Sequence, residues 1–493
     1  MLIGLDVGRT GARALAIDDS GAVLSSARAG YGTASPRPGW AEQDPSDWWA
    51  AAETVVRRVV SEARGQAGEV AALGLSGQMG GAVFVDRRGE VIRPALVEGD
   101  WRSRPQCEAI AAIIGAKRVA ETAGSAATTD SQASKILWLR DVEPVQYRHV
   151  RRVLLPKDYV RLRLTGEVTT DVSDASGTLL LDLQRRAWSD LVLNALGIAP
   201  DWLPSISESA TITGALRPSV ATGLGLPAGL PVAAGAGDVA AAAIGAGVVA
   251  SGLISSSIDG GGRLVAHREE YAADPSGLLR ILCSAVPGQY LEVASTPAAG
   301  RALDWWSDVL GGVAGGELVV SAEAIAPGAD GLFFLPSFNI EGTSRGAFIG
   351  LRAHHRRGHL TRALMEGVVF SLREGMDLLR ARASDVRRVT AVGSGAHPAL
   401  WCQLEADMFN LPVETTVVGA AAALGAALLA GVAGGVFPDM ASACKAAVRV
   451  DQVFEPDADR VARYGHIVHT ARALALATAG SMAGRVPAPA AAR

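Results

Sequence analysis

Residues 1–17, MLIGLDVGRTGARALAI, contain two apolar runs separated by a glycine-rich turn. Leu2–Asp6 is the first run, DVGRTG is the turn, and Arg13–Ile17 is the second run. Short apolar runs on either side of such a turn are typical of a β-hairpin. The chain is therefore predicted to open with two adjacent strands.

The same pattern returns in the second half of the chain. Leu230–Ala234 is apolar and leads into GAGDVAAAAIGAG, and the strand-like stretch Gly252–Ile258 leads into a glycine cluster at Asp259–Gly262. Val389–Val392 leads into GSGAHPALW and then into a helical stretch. Glycine-rich turns at strand ends, separated by helical stretches, favour an α/β chain with two similar lobes.

Length and composition restrict the class of protein. At about 150 residues per domain, 493 residues leave room for two or three domains. The formal net charge is −4 and there is no basic block, so neither nucleic acid nor an anionic membrane surface is an expected partner. Glycine accounts for 57 residues, about 12% of the chain against about 7% on average, which predicts many tight turns or close backbone contacts.

Cysteine content and hydropathy bear on location. The four cysteines, at positions 107, 283, 402 and 444, form no CxxC pair and are too few for a disulfide framework, so a cytoplasmic location is expected. Val417–Phe437 carries no charge, but its many Ala and Gly residues favour a buried helix followed by a loop over a membrane span. The Ala- and Pro-rich end, residues 479–493, is expected to be a disordered tail.

Asp238 lies in the motif GAGDVA, residues 235–240, between a predicted strand and a predicted helix. The pattern G-x-G-x-x-A, with Asp259 about 20 residues further on, matches a dinucleotide-binding fingerprint and would indicate an oxidoreductase. However, a carboxylate inside that loop would repel a pyrophosphate. Two other interpretations stay open: the glycines serve only close strand–helix packing, or the loop presents Asp238 at a cleft as a base.

Asp6 ends the first predicted strand and enters a turn that contains Arg9 and Thr10, with Arg13 just beyond. Backbone N–H and guanidinium groups suit a phosphate, and a carboxylate suits the Mg²⁺ that holds such a phosphate. Taken alone, the stretch favours an ordinary polar hairpin turn. Together with Asp238 it favours phosphoryl transfer, with one acidic strand end for the metal and another for a substrate hydroxyl.

Three histidines in HHRRGH, residues 354–359, suggest a metal site. Adjacent histidines in a basic run are nevertheless typical of a solvated loop, and no Cys or carboxylate nearby in the sequence completes a ligand set. The sequence therefore favours a loop.

The order of motifs from residue 1 to about residue 430 resembles that of the FGGY carbohydrate kinases, and within them the xylulokinases. LLPKDYVRLRLTGE and TDVSDASGT are the most specific matches. The other matching segments are LIGLDVGRTGARA, GWAEQDPSDWW, LGLSGQMGGAVFVD, GAGDVAAAAIGAG, GSGAHPALW and GAAAALGAALLA.

This resemblance implies two actin-like (ribonuclease H-like) domains of α/β structure on either side of a deep cleft. Residues 1–245 would form the N-terminal, sugar-binding domain, and residues 246–478 the C-terminal, ATP-binding domain. ATP and Mg²⁺ are the implied cofactors, and a small sugar is the implied substrate. No nucleic acid or membrane partner is implied, and a homodimer stays open.

The resemblance also assigns roles to single residues. Asp238 would accept the proton of the attacking sugar hydroxyl as catalytic base, and Asp6 would be associated with Mg²⁺ and the triphosphate. The contacts with ATP and its phosphates would come from Gly8, Arg9, Thr10, Arg13, Gly260, Gly261, Gly300 and Gly395. The contacts with the sugar would come from Gln78, Met79, Gly80, Asp100 and Arg102.

The sequence departs from the family pattern at several positions. Gly80 stands where the family usually has a sugar-contacting histidine, and Val239 replaces an asparagine after the catalytic aspartate. The usual Trp-Asn-Asp-Gly-Arg reads EGDWR at residues 98–102, and the second phosphate loop lacks its threonine but contains Asp259. A Gly-Glu-Arg-Thr-Pro loop is shortened at residues 340–345. Losing polar groups removes substrate hydrogen bonds and changes discrimination.

Three hypotheses about function follow from this comparison. The leading one is ATP-dependent phosphorylation of a primary hydroxyl of a ketopentose, first of all D-xylulose, with Asp238 as the base. The departures at Gly80 and Val239 leave another ketose or a polyol as an alternative substrate. The altered second loop leaves a non-catalytic, actin-like protein that binds sugar or nucleotide.

Overall fold

Two large β-sheets with helices around them form the framework of the computed structural model. The structure describes residues 1–64, 69–274, 276–296, 299–336, 346–382 and 385–482. The strands of the first half are β1 (Leu2–Val7), β2 (Gly11–Ile17), β3 (Val23–Gly30), β4 (Glu42–Gln43), β5 (Ala72–Gly77), β6 (Val83–Val85), β7 (Ala95–Leu96), β8 (Arg152–Leu154), β9 (Thr169–Asp171), β10 (Leu181–Asp182), β11 (Ala187–Trp188), β12 (Ser205–Ser207), β13 (Ile212–Ala215), β14 (Pro231–Ala233) and β15 (Ala236–Gly237). Those of the second half are β16 (Leu253–Ile258), β17 (Gly262–Arg268), β18 (Arg280–Cys283), β19 (Tyr290–Thr296), β20 (Phe333–Leu335), β21 (Ala347–Ile349), β22 (Arg388–Val392), β23 (Val413–Thr416) and β24 (Val450–Phe454).

The helices surround these sheets and connect them. They are α1 (Pro45–Ala63), α2 (Arg104–Ile114), α3 (Ala116–Ala123), α4 (Gln132–Val142), α5 (Pro144–His149), α6 (Pro156–Thr165), α7 (Val172–Ala175), α8 (Asp190–Leu196), α9 (Pro218–Leu224), α10 (Asp238–Gly245), α11 (Gly300–Val309), α12 (Gly315–Glu323), α13 (Arg357–Arg382), α14 (Ala399–Phe409), α15 (Ala421–Ala433), α16 (Met440–Ala447) and α17 (Ala458–Met482).

Both large sheets have the same strand order and the same strand directions. The first contains the path β3-β2-β1-β5-β14-β13, and β15 also pairs with β5. The second contains the path β19-β17-β16-β22-β23-β24, and β18 lies beyond β19. Along each path the first three strands are antiparallel to their neighbours, the third to fifth are parallel, and the sixth is antiparallel. The prediction of an α/β chain with two matching lobes is confirmed.

Helix α1 shows how the local sequence determines an element. Asp44 caps its N-terminus by accepting the N–H of Ser46 at 2.8 Å, and Pro45 occupies the first turn. Its buried face includes Trp48 and Val55, at the spacing expected for a helix with one apolar side. This face packs against β2 and β3 of the first sheet.

Helix α15 comes late in the sequence but covers the first sheet. A Cβ on Gly4 of β1 would lie 2.0 Å from the carbonyl oxygen of Ala423, and one on Gly74 of β5 would lie 1.9 Å from that of Ala426. Only glycine allows backbones to approach so closely. Helix α15 also packs against α10, so these two helices join the lobes.

The uncharged segment Val417–Phe437 contains α15, and most residues of that helix are buried. The expected buried helix is therefore confirmed. Within the described ranges, no helix has both the length and the apolar character needed to cross a membrane.

The large sheets divide the chain close to the expected domain boundary. The first takes its strands from residues 2–237 and the second from residues 253–454. Helix α17 continues to Met482, so it includes the first four residues of the expected tail. Residues 483–493 and the shortened loop at 340–345 lie outside the described residues.

Candidate active site

Asp6 and Asp238 lie at the same edge of the first sheet. In the parallel strands β1, β5 and β15, Asp6 pairs with Ser76, and Ser76 pairs with Ala236. Asp238 follows two residues later and begins α10. Because neighbouring strands are about 4.8 Å apart, the strands that carry the two carboxylates are about 10 Å apart. Open α/β sheets bind their ligands at this carboxyl edge.

Asp6 is half-buried, and one of its oxygens accepts a hydrogen bond from Ser76 Oγ at 2.9 Å. Burial, and after it the negative charge of Asp238, raise the pKa of Asp6 to about 6, while Ser76 and Arg13 oppose the rise. Arg13 is the partner of Asp6 in the β1–β2 hairpin. A carboxylate whose charge is disfavoured in this way suits a divalent cation, because the cation restores the ionised form.

Asp238 is half-buried, and its Oδ1 accepts the backbone N–H of Val239 at 2.8 Å. Burial raises the pKa of Asp238. Among the surrounding charges, that of Arg263 opposes the rise most strongly, Glu98 adds to it and Arg280 opposes it. A carboxylate with a raised pKa can accept a proton from a hydroxyl more readily than an ordinary surface Asp.

Val239 stands where the resemblance predicts an asparagine, and its side chain belongs to a hydrophobic cluster made by both lobes. Burial in this cluster gives the apolar side chain a packing role in place of a polar contact.

Two side chains fix the backbone of the first glycine turn by donating hydrogen bonds to its carbonyl groups. Tyr31 Oη donates to the carbonyl of Gly8, and Gln43 Nε2 donates to that of Arg9 at 2.8 Å. The N–H groups of Arg9 and Thr10 donate no backbone hydrogen bond within the described part of the chain. These amides are therefore available to phosphate oxygens.

The second glycine cluster lies at the edge of the second sheet, where β16 and β22 are parallel neighbours. A Cβ on Gly300 would lie 2.3 Å from the carbonyl oxygen of Asp259, and one on Gly395 would lie 2.4 Å from Ile258 Cβ. Gly260 also accepts the N–H of Arg301 at 3.2 Å. The structure thus brings together four predicted ATP contacts, namely Gly260, Gly261, Gly300 and Gly395.

Asp259 has a structural role that the sequence did not indicate. Its Oδ1 accepts hydrogen bonds from the backbone N–H and the Oγ of Ser394, both at 2.9 Å. A Cβ on Gly393 would lie 2.5 Å from the Asp259 carboxylate, so glycine is required there. The carboxylate caps the turn that contains Gly395, and its two donors offset part of its repulsion of a triphosphate.

Arg9 connects the two glycine loops. Its Nη2 lies 3.0 Å from the position that a Cβ on Gly260 would take, and Nη2 of Arg301 lies 3.4 Å from the same position. Burial, and after it the charge of Arg9, lower the pKa of Arg301. Two guanidinium groups at one glycine loop suit a triphosphate. The sequence pattern indicated Arg9 but not Arg301, although Arg301 directly follows the predicted contact Gly300.

Gln78 and Met79 lie between the two acidic strand ends. The Gln78 side chain is buried and donates from Nε2 to Gln43 Oε1 at 2.8 Å. Met79 lies against the residue before the candidate base, with its Cγ 2.8 Å from the position that a Cβ on Gly237 would take. Met79 is therefore close to Asp238, whereas the Gln78 side chain lies at the first glycine turn, where its Nε2 is 3.5 Å from the Gly8 carbonyl oxygen.

Gly80 cannot carry a side chain in this backbone. Its φ is +69°, and a Cβ would lie 2.1 Å from the carbonyl oxygen of Asp130. The buried Lys135 ammonium donates to the carbonyl oxygens of Gly80 at 2.7 Å and Asp130 at 3.1 Å, which holds the two segments together. The histidine that the related kinases usually have here would require the backbone to move.

Asp100 and Arg102, which the resemblance predicts to contact the sugar, both have buried side chains and bind each other. Asp100 is 0% exposed and forms a bidentate ion pair with Arg102 at 2.7–2.9 Å. The Arg102 side chain is 1% exposed, pairs with Glu42 at 2.7 Å, and lies 3.5 Å from the ring centroid of Trp40. These contacts hold the loop that carries Glu98 in place.

Two arginines of the second sheet approach Asp238 although the sequence analysis did not assign them. Arg263 pairs with Glu98 of the first lobe at 3.1 Å between Nη2 and Oε1. Arg280 Nη2 lies 2.9 Å from the position that a Cβ on Gly177 would take, next to Met79. Arg263 could have been noticed because it directly follows the second glycine cluster, whereas nothing in the sequence around Arg280 indicates its position.

The segments LLPKDYVRLRLTGE and TDVSDASGT form a buried ionic network behind Asp238. The Lys157 ammonium lies 2.7–3.1 Å from three fully buried carboxylates, those of Asp158, Asp171 and Asp174. Ser173 Oγ accepts the N–H of Gly237 at 3.1 Å. The network is therefore hydrogen-bonded to the strand that leads into Asp238.

The histidine run meets a carboxylate that the sequence did not indicate. Asp330 and His354 are hydrogen-bonded, and His355 lies close enough to complete a candidate set of three metal ligands. However, His355 Nδ1 accepts the N–H of Arg352 at 3.1 Å. Because Nδ1 already accepts this hydrogen bond, its lone pair is not free for a metal. The contacts favour a hydrogen-bonded turn.

Comparison with known proteins agrees with this architecture. The model of the N-terminal domain of the FGGY family of carbohydrate kinases matches residues 1–245, and that of the C-terminal domain matches residues 266–434. The chain is 34% identical over 471 residues to the xylulose kinase of Escherichia coli K12, covering 94% of this chain and 96% of that protein. It is 34% identical over 477 residues to the xylulose kinase of Lactococcus lactis, covering 94% of each.

A solved structure extends the comparison to three dimensions. The xylulose kinase of Rhodospirillum rubrum superposes with a TM-score of 0.89 at 28% identity, covering 98% of this chain and 99% of that one. The expected fold of two actin-like domains is thereby confirmed. Because both domain models match in order and the match to relatives extends over almost the whole length, the chain belongs to the FGGY family of carbohydrate kinases.

Proposed function

We propose that this kinase transfers the terminal phosphoryl group of ATP to the primary 5-hydroxyl of D-xylulose. The observation that carries the proposal is the placement of Asp238, a half-buried carboxylate at the same edge of the first sheet as Asp6, whose glycine turn meets the second glycine loop through Arg9. The extended similarity to xylulose kinases supports a pentulose as the substrate.

Asp238 acts as the base in this proposal. The sugar hydroxyl gives its proton to the carboxylate while its oxygen attacks the terminal phosphorus atom of ATP. The bond between that phosphorus atom and the bridging oxygen breaks, and ADP leaves. Burial around Asp238 supports this role, because it makes proton acceptance more favourable than for an exposed carboxylate.

The phosphates of ATP would lie between the two glycine loops. The free amides of Arg9 and Thr10, with the guanidinium groups of Arg9 and Arg301, would bind phosphate oxygens. Asp6 would hold Mg²⁺, which when bound supplies positive charge to the phosphate oxygens. We further propose that residues 1–245 bind the sugar, that residues 246–478 bind ATP, and that the enzyme works in the cytoplasm.

A different ketose or a polyol is the second candidate substrate. It is favoured by Gly80, whose surroundings exclude the histidine that usually contacts the sugar in this family. Loss of a sugar hydrogen bond changes which hydroxyl pattern the pocket selects.

The experiment is a substrate panel assayed with Mg-ATP by coupled ADP release, containing D-xylulose, other pentuloses, tetritols and glycerol. We expect the highest kcat/KM for D-xylulose, with nuclear magnetic resonance placing the phosphate on its 5-oxygen. A tenfold higher kcat/KM for another compound would replace D-xylulose as the substrate. Calorimetric binding of Mg-ATP with no turnover on any sugar would instead favour the non-catalytic binding protein.

A further inference from the structure

Arg263 is the second residue of β17 and directly follows the second glycine cluster. Successive side chains of a strand point to opposite faces of the sheet. Leu264 belongs to a cluster made mainly of second-lobe residues such as Met376, whereas Val265 belongs to the cluster that contains strand residues of the first sheet such as Leu2. Arg263 is on the same face as Val265 and therefore projects toward the first lobe.

The partner of Arg263 on the first lobe is Glu98. Their ion pair joins Nη2 to Oε1 at 3.1 Å, and each side chain keeps about one-third of its surface exposed. Glu98 stands at one of the positions where this chain departs from its relatives, and its loop is held by the buried pair of Asp100 and Arg102. The ion pair therefore spans the cleft from a well-anchored loop.

Arg263 also interacts electrostatically with the candidate base and with the second glycine loop. Its positive charge acts on the Asp238 carboxylate, and the charges of Glu98 and Asp259 act on Arg263. The candidate base and the carboxylate of the second glycine loop are thus both near this guanidinium.

The second glycine loop offers few groups that could stabilise a phosphoryl group in transfer. Asp259 is used in capping the Ser394 turn, and the glycines at 260–262 contribute only backbone. Arg9 and Arg301 lie at Gly260. The guanidinium of Arg263 has five N–H donors in a planar fork, so it can hold Glu98 and a phosphoryl oxygen at the same time.

We propose that Arg263 is a catalytic residue that binds the phosphoryl group during its transfer, and that Glu98 is the positioning residue that holds it across the cleft. This inference rests on the proposed kinase reaction and adds roles for Arg263 and Glu98 that the proposed function does not assign. Arg263 makes and breaks no covalent bond. The phosphorus atom leaves the ADP oxygen and joins the sugar oxygen, the hydroxyl proton goes to Asp238, and Arg263 stabilises the charge on the transferring oxygens.

The test compares Arg263→Ala and Arg263→Lys with the wild type in full-length protein, using the best substrate of the panel. We expect Arg263→Ala to lower kcat by about 10²-fold or more, while KM for the sugar changes by less than about threefold. Arg263→Lys keeps the positive charge but loses the planar set of N–H donors. Its kcat should therefore lie between those of the wild type and Arg263→Ala. Added guanidinium ion should restore part of the Arg263→Ala activity.

Two further variants separate catalysis from structure. Glu98→Gln should lower kcat about tenfold, because Arg263 remains but is less well held. Arg268→Ala is the matched control: Arg268 ends the same strand and pairs with Glu292 at 2.9 Å away from the glycine loops, and its loss should leave kcat unchanged. All variants are checked by thermal melting.

Several outcomes would overturn this inference. One is a kcat for Arg263→Ala within a few-fold of the wild type. Another is a loss of activity that follows a loss of melting temperature and is not restored by guanidinium ion, which would make Arg263 only structural. If the wild type prefers a sugar other than D-xylulose, D-xylulose is not the substrate. The kcat values of the Arg263 variants and the wild type are then compared on the preferred sugar, and the same outcomes decide the role of Arg263. No turnover on any sugar would overturn both proposals.

Discussion

Two carboxylates at strand ends, Asp6 and Asp238, dominate the candidate site at the scale of single residues. Both are half-buried, and burial raises the pKa of each. The negative charge of Asp238 adds to the effect on Asp6. The site therefore keeps two acidic groups in surroundings that disfavour their charge, which costs stability in the absence of ligands.

Asp6→Asn should be more stable than the wild type at pH 8 and equally stable at pH 4. Because the pKa of Asp6 rises from 3.8 to about 6 on folding, its ionisation between these values destabilises the native state. A rise of about two units corresponds to roughly 3 kcal/mol, and asparagine removes this cost. Differential scanning calorimetry at both pH values, without Mg²⁺, measures the difference.

Turnover of the Asp6→Asn protein should be lost at every pH, since the proposed metal contact is removed. A variant that melts below the wild type at pH 8, or by the same margin at both pH values, would contradict this account of Asp6.

Residue-level prediction from the sequence succeeded where the signal was local. Asp6 and Asp238 each follow an apolar run and precede or lie in a glycine turn, and the structure places both at strand ends. The sugar contacts expected of Asp100 and Arg102 stay a prediction, whereas the surroundings of Arg102 include Trp40 and Glu42, some 60 residues away in sequence. No local pattern reports such a contact.

At the scale of elements, the ionic network on α6, β9 and α7 supports the strand that carries Asp238. Lys157 is the ammonium that its three aspartates share, and Ser173 connects the network to Gly237. Removing one partner of a buried ion pair leaves an uncompensated charge. The network therefore couples local stability to the position of the base.

Lys157→Met should destabilise the protein by about 3–5 kcal/mol, because it leaves the buried carboxylates without their cation. The midpoint of urea denaturation, followed by tryptophan fluorescence, is the measurement. Lys117→Met is the matched control, since the Lys117 side chain is 82% exposed and its loss should move the midpoint little. Equal midpoints for the two variants would show that Lys157 is not the central cation of the network.

The contact of α15 with the first sheet is the second element-level feature that can be tested. Gly74→Ala should lower the melting temperature, because its Cβ would lie 1.9 Å from the Ala426 carbonyl oxygen and would push α15 away at a cost of about 1–3 kcal/mol. Gly223→Ala is the control, since none of the described residues outside α9 has an atom within 4 Å of the Cβ position of Gly223 in that helix.

That control should melt at or slightly above the wild-type temperature, because alanine favours a helix. If Gly74→Ala melts like Gly223→Ala, the close packing of α15 on the first sheet is not as the structure shows it.

At the scale of the whole molecule, the cleft is formed by two lobes with one strand order. The repeated glycine turns indicated this duplication in the sequence, and the two sheet paths confirm it. The pairing of Glu98 with Arg263 and the position of Arg280 could not be predicted, because they depend on how one lobe sits on the other. The sequence thus predicts each lobe better than the surfaces between them.

The claim on which the account depends is that Asp238 is the base of a site made by both lobes. The most direct measurement is sugar-dependent ADP release by Asp238→Asn, together with calorimetric binding of Mg-ATP, and Asp259→Asn as the control carboxylate on the second loop. We expect Asp238→Asn to bind Mg-ATP within a few-fold of the wild type and to lose turnover by about 10²-fold or more, while Asp259→Asn keeps turnover within a few-fold. Undiminished ADP release by Asp238→Asn would contradict the account.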